Sequence, residues 1–215
     1  MGYHEQIEHD GYAIVDRVLE PQAADQLAAA IDAVTNSDAV RRKAGVYGIR
    51  NLLSVSDAVR DLAATDTLRR LVTPVLGNAC FAVRATFFDK VPDANWKLRW
   101  HQDGVIAVRE RIDTLGFQAW SEKAGVMQVR PPTEVLAEML AIRVHLDDCT
   151  QTNGPLRVLA GSHRQGWMRD QLDDAKERFE EVTCEVAKGG VLAMRPLLLH
   201  ASSASESPAH RRVIH

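Results

Sequence analysis

The stretch "RWHQDGV", residues 99–105, sets His101 and Asp103 two positions apart in an otherwise apolar neighbourhood, directly after Trp100. In an extended strand residues i and i+2 share one face, so the imidazole and the carboxylate project together. Burying both is costly unless each finds a partner, and one metal ion satisfies both at once. A third donor follows in "LAMRPLLLHASSASESPAHRRVIH", residues 192–215, where His200 ends an apolar run.

Two histidines and one carboxylate form the facial triad of non-haem Fe(II) oxygenases, which leaves three octahedral positions open. Arg211 lies eleven residues after His200 at the start of another apolar segment. Its planar two-donor fork suits a carboxylate, so it can hold the far end of a dicarboxylate whose near end chelates the iron. That dicarboxylate would be 2-oxoglutarate, with O2 taking a remaining position. Arg212 is adjacent, and because neighbouring strand residues point to opposite faces only one of the two can face inward. The spacing to His200 selects Arg211.

Positioning these groups requires strands. The front of the chain, residues 1–78, reads as a helical support region. "PQAADQLAAAIDAV" repeats apolar residues at Ala24, Leu27, Ala28, Ile31 and Val34, one buried stripe of a helix that opens on Pro21. "TDTLRRLVTPVLG" reads as a second helix stopped at Gly77, and "GYAIVDRVL" as a strand before the first. From residue 79 onward, short apolar segments alternate with Pro, Gly, Asn and Asp turns: "NACFAVRATFFDKV", "KLRWHQDGVIAV", "EMLAIRVHLDD", "GPLRVLAGSH", "TCEVAKGGVLAM" and "HRRVIH". This predicts an α+β fold, a double-stranded β-helix (jelly-roll, cupin-like) core with N-terminal helices packed outside its sheet, in one domain spanning 1–215.

Each site residue also has a plainer reading. A single strand histidine is usually a hydrogen-bonded core residue, Asp103 can cap a turn with Gly104, and Arg211 can be a surface charge. Three blocks in fixed order argue against coincidence. "WHQDG", "NGPLRVLAGSH" and "RPLLLHASSAS" with its following "RRVIH" resemble the phytanoyl-CoA dioxygenase family of Fe(II)- and 2-oxoglutarate-dependent oxygenases across residues 80–215. The resemblance implies that His101, Asp103 and His200 bind iron, that Arg211 salt-bridges the far carboxylate of 2-oxoglutarate, and that the Ser202 hydroxyl supports it. It places the iron away from His163. It also implies hydroxylation of an unactivated C–H bond of a small molecule with release of succinate and CO2. Related halogenating enzymes have a small residue where this chain keeps Asp103, so the expectation is a hydroxylase. The competing class is a non-redox or non-enzymatic cupin that holds a metal on the same three residues; such a protein has no need of a dicarboxylate clamp.

On "AIRVHLDD", Arg143, His145 and Asp147 share one strand face, which suggests a polar pocket wall. The family often carries an aromatic residue where Arg143 stands, so Arg143 is a departure that can offer a cation to 2-oxoglutarate or to an anionic substrate, and His145 can contact substrate. The stretch 105–138 is long for a connection between barrel strands and reads as a lid-like insert. It holds Phe117 and Trp120 as candidate substrate contacts, with its mobile centre expected at Trp120–Gly125.

The 215 residues are 46% hydrophobic and 26% charged, with a net charge of -3, which lacks the basic excess of a nucleic-acid binder. Cys80, Cys149 and Cys184 form no C-x-x-C pair and read as reduced thiols. With no leader-like start and no long apolar run, the expectation is a cytoplasmic protein with a small-molecule substrate and neither nucleic-acid nor membrane partners.

Overall fold

The computed structural model describes residues 1–34, 39–42, 46–168, 172–206 and 208–215. Helix α1 (Tyr3–Asp10) precedes β1 (Tyr12–Val15), and α2 (Pro21–Asp32) starts on Pro21, whose fixed φ and missing N–H suit a first helical turn. β2 (Val40–Arg42) and β3 (Val46–Ile49) follow, then α3 (Leu52–Val55), α4 (Asp57–Ala64) and α5 (Asp66–Leu76). Helix α5 is capped by the Thr65 hydroxyl, which accepts the Leu68 N–H, and ends at Gly77 with φ 78°.

The remaining strands build two facing antiparallel sheets. β4 (Phe87–Asp89), β9 (Ala141–His145), β12 (Val191–Met194) and β14 (Arg212–Ile214) join the N-terminal strands in a seven-stranded sheet of order β1-β12-β9-β14-β4-β3-β2. β5 (Leu98–His101), β10 (Leu156–Leu159), β11 (Glu181–Cys184) and β13 (His200–Ser202) form a four-stranded sheet of order β11-β10-β13-β5. Period-two alternation divides the large sheet between two cores. Outward residues Phe87, Val144, Val191 and Ile214 bury with Ala24, Ala28 and Ile31 of α2 and Val59 and Leu62 of α4. Inward residues Leu192 and Met194 cluster with Leu156, Val158 and Cys184 of the small sheet. Each fully buried aliphatic side chain of this kind contributes about 1.5–3 kcal/mol. This is the expected jelly-roll with helices on its outer face.

Three expectations are corrected. The front of the chain is not only helical support, because β1 closes one edge of the large sheet against β12 and the β2–β3 hairpin closes the other against β4. Of "NACFAVRATFFDKV" only Phe87–Asp89 is strand, and Phe81 stays 82% exposed. The insert at 105–138 is more than a long connection with a mobile centre. It folds into its own antiparallel sheet of β6 (Ile106–Val108), β7 (Gln118–Lys123) and β8 (Val126–Arg130), followed by α6 (Thr133–Ala137). Its expected mobile centre is the end of β7 and a two-residue turn, Ala124 and Gly125, at φ 52° and 73°. Positive φ at both positions matches the twist of a tight hairpin. Alanine rarely adopts that conformation, which hid the turn in the sequence. Asn51 Nδ2 donates to the Ala124 carbonyl at 2.7 Å and ties the hairpin tip to the barrel. Downstream, α7 (Leu172–Arg178) precedes β11. No described helix is long and apolar enough to cross a membrane.

Candidate active site

β5 and β13 pair antiparallel with His101 directly opposite His200, and their rings stand 4.1 Å apart between centroids. Each Nδ1 hydrogen-bonds the carbonyl two residues back, His101 to Arg99 at 2.8 Å and His200 to Leu198 at 2.9 Å. Since a carbonyl only accepts, Nδ1 carries the proton and Nε2 keeps its lone pair. Both Nε2 atoms face Asp103, His101 at 4.0 Å from Oδ1 and His200 at 3.9 Å from Oδ2. The three donors lie within 4.8 Å of one another. Asp103 Oδ2 is buried without a hydrogen-bond partner among the described residues. Burial works to raise the Asp103 carboxyl, but the fields of His200, His215, His101 and Arg143 outweigh it and bring the pKa down to about 2. Burial pushes His200 down to about 4. An ionised carboxylate beside a neutral imidazole, with donors aimed at one point, is the protonation state and geometry a divalent metal requires.

The rest of "WHQDG" serves that geometry. Gln102 points the opposite way and is fully engaged: Nε2 donates to the Gly166 and Leu197 carbonyls at 2.8 and 2.6 Å, and Oε1 accepts the Met168 N–H at 2.7 Å. The Asp103 N–H donates to the Pro196 carbonyl at 2.9 Å, locking the ligand loop to the approach of β13. A Cβ on Gly104 would meet the Trp167 ring at 2.2 Å, so only glycine fits there.

The facing wall is cationic. Arg211 is buried; one of its terminal nitrogens donates to the Gly154 carbonyl at 2.7 Å, and its Nε has no described partner. Arg212 points outward and clamps Asp147 with contacts of 2.9 and 2.7 Å, so the inward member of the pair is Arg211. Arg143 is buried on β9 with its Nε unpaired, and both ring nitrogens of His145 are buried without a described partner. Burial, with Arg143 and Arg211 nearby, holds His145 well below the ordinary histidine value, hence neutral. Ser202 is buried, and its hydroxyl accepts from Lys90 Nζ at 3.2 Å. A buried surplus of unpaired donors is unfavourable until an anion fills it. The wall therefore fits a dicarboxylate.

Two residues of this wall were not read from the sequence. His215 shares the inward face of the last strand with Arg211. Its Nδ1 accepts from Arg143 at 2.6 Å and its Nε2 stands 3.6 Å from Asp103 Oδ2. Strand alternation from Arg211 would have found it. Lys90 is completely buried and donates to the carbonyls of Gly154 and Ser203 as well as to Ser202. Burial and then Arg211 push its pKa down to about 7, against three oxygen acceptors that favour the charged form. A lysine inside the apolar "FFDKV" was its only signal.

A cavity of about 700 Å³ opens between β3, β4 and the insert, lined among others by Tyr47, Phe88, Trp96, Val105, Lys123 and Gln128. Its lining residue Phe88 packs edge-on against the His215 ring, with ring centres 6.4 Å apart. Neither Phe117 nor Trp120 lines it. Trp120 instead lies under Arg111, 5.6 Å from its ring centre. His163 is also elsewhere, hydrogen-bonded to the Glu8 carbonyl.

The fold has counterparts among known proteins. Ectoine dioxygenase of Bordetella bronchiseptica is 23% identical over 167 residues, covering 74% of this chain; the match spans about half, 47%, of that relative's length. EctD from S. alaskensis with bound Fe superposes with a TM-score of 0.76 at 20% identity, over 98% of this chain and 73% of that one. The same protein has been solved with 2-oxoglutarate and 5-hydroxyectoine, with a TM-score of 0.75 at 19% identity over 98% and 72%. SnoK, a non-haem alpha ketoglutarate dependent carbocyclase from nogalamycin biosynthesis, reaches 0.72 at 17% identity over 99% and 80%. At these identities the structural matches speak for the fold. The sequence profile of the phytanoyl-CoA dioxygenase (PhyH) family matches residues 7–213, nearly the entire chain, and the chain accordingly belongs to that family.

Proposed function

We propose that this chain is an Fe(II)- and 2-oxoglutarate-dependent dioxygenase that hydroxylates an unactivated C–H bond of a small molecule. The observation that carries the reading is the convergence of His101, Asp103 and His200 on one point, facing a buried wall of unpaired donors around Arg211. His101, Asp103 and His200 would hold the iron, while Arg211 and the Ser202 hydroxyl would hold the far carboxylate of the cosubstrate. Arg143 braces His215 beside Asp103 and offers a second cation. When bound, the metal with 2-oxoglutarate and O2 supplies an oxidative decarboxylation, to succinate and CO2, coupled to hydroxylation. The buried side chains of Arg143, His145 and Arg211 would keep bulk water from the cosubstrate side of the site. Retention of Asp103 favours hydroxylation over halogenation.

The test is thermal. With redox-silent Ni(II) bound, 2-oxoglutarate at about a hundred times its Kd should stabilise the fold by about 2.7 kcal/mol and raise Tm by about 5–10 °C. Succinate release with Fe(II) and O2 should follow. A full shift from metal alone, with nothing added by 2-oxoglutarate, would move the protein to the metal-binding cupin class.

A further inference from the structure

We infer that the substrate is a small organic acid, bearing a carboxylate or phosphate, bound in the 700 Å³ cavity by Arg50 and Arg84 against an aromatic wall. The inference rests on the dioxygenase reading and names the substrate class. The volume lies in the range of small-molecule sites. Four cations line it, Arg41, Arg50, Arg84 and Lys123, against one carboxylate, Asp93. The chain as a whole has 26 basic and 29 acidic residues, so this excess is local.

Arg41 and Lys123 are exposed, and Arg41 lies over the Tyr47 ring at 5.7 Å, as solvated side chains do. Arg50 and Arg84 differ. They are half-buried and, among the described residues, neither forms an ion pair. Partly desolvated guanidinium groups with free forks favour a planar or tetrahedral oxyanion. Arg84 lies two residues before Thr86, another lining residue, whose N–H donates to the His215 carbonyl at 2.7 Å, so this part of the lining adjoins the residue that stands beside Asp103. Tyr47 and Phe88 each pack against Trp96, with ring centres at 6.1 and 6.4 Å, and present an apolar face to the rest of the ligand. The buried cations Arg143, Lys90 and Arg211 are absent from this lining, so the acid does not compete for the cosubstrate's partners.

The probes are 3-phenylpropionate, phenyl phosphate and the uncharged 3-phenylpropanamide, titrated by calorimetry into protein loaded with Zn(II) and 2-oxoglutarate. Wild type should bind at least one acid about tenfold more tightly than the amide. The preference should collapse in Arg50→Gln/Arg84→Gln and survive in Arg109→Gln, an exposed insert residue off the cavity. Which acid is retained separates carboxylate from phosphate. Equal binding of the amide, retention of none of the three, or a preference that survives the double variant would overturn the inference. The 2-oxoglutarate-dependent Tm shift is read on the same samples. If it persists in the double variant, the fold and cosubstrate site are intact. If wild type lacks it, the dioxygenase reading fails independently of the acid binding.

Discussion

Across the barrel interior, β5 with the loop that follows it and β13 present the donor atoms of His101, Asp103 and His200, with both histidines braced by backbone carbonyls. β9, β14 and the end of β4 present Arg143, Arg211 and Lys90, and leave guanidinium nitrogens and both nitrogens of His145 unpaired. One wall is built to receive a cation and the other an anion. The difference teaches that a chelating dianion on a metal neutralises both walls at once, which neither ligand does alone. His215 joins them, touching Arg143 on one side and Asp103 on the other.

The sharpest way to break this pairing is to remove the anion from the metal wall. Asp103→Ala should abolish Fe(II)-dependent turnover and lower bound metal, measured by atomic emission, while Tm of the metal-free protein stays near wild type. Wild-type hydroxylation by that variant would refute the ligand assignment, unless added chloride turned it into a halogenase. Next in size is the cation wall: Arg211→Ala should weaken 2-oxoglutarate binding by about 2–5 kcal/mol, whereas Arg212→Ala should leave it unchanged. Isothermal titration with metal present reads both, and equal losses would reverse the assigned strand register.

Arg212→Ala instead tests the outer face of the same strand. Its bidentate clamp on Asp147 is largely shielded from solvent, so its loss should cost about 1.5–3 kcal/mol of stability. Burial alone would raise the Asp147 carboxyl, but the Arg212 hydrogen bonds outweigh it and hold the pKa below the usual 3.8. A depressed folded pKa stabilises above the unfolded value and ceases to do so as pH falls through the folded one. The Tm gap between wild type and Arg212→Ala should therefore be full near neutrality and close below about pH 3.8. A gap independent of pH would remove the ion pair as its cause.

The smallest effect concerns the insert. Hydrogen exchange should be fastest over the exposed residues 109–116 and slow across the β7–β8 hairpin even without substrate. A hairpin that exchanges as fast as 109–116 and is protected only when substrate binds would instead make the hairpin itself the moving part of the lid expected from loop length.

Much of the site was legible because its chemistry is local. The His-x-Asp spacing was enough to pair His101 with Asp103, although β5 ends at His101 and the hydrogen bond from the Asp103 N–H to Pro196 holds the carboxylate in place; Gly104 follows because Trp167 leaves room for nothing larger. His200 and Arg211 were found as chemical complements to that pair, helped by a family resemblance. His215 and Lys90 escaped because their signals, strand alternation from Arg211 and a lysine inside an apolar segment, assign no role until three strands meet. Phe117 and Trp120 were chosen for composition, yet neither lines the cavity: Phe117 precedes β7, and Trp120 packs under Arg111.

The sequence by itself determined the alternation that separates outward Val144 and Ile214 from inward Arg143 and Arg211, the helical stripe of α2, and the choice of His101, Asp103 and His200 as the proposed metal ligands, since each depends on periodicity or on side-chain chemistry. Only the tertiary structure decided that β2 and β3 complete the large sheet, that the insert folds on itself, and that Arg143, His215 and Asp103 form one chain of contacts. Those outcomes depend on which strands become neighbours, and pairing between segments distant in sequence is set by packing of the whole barrel, which no single stretch encodes.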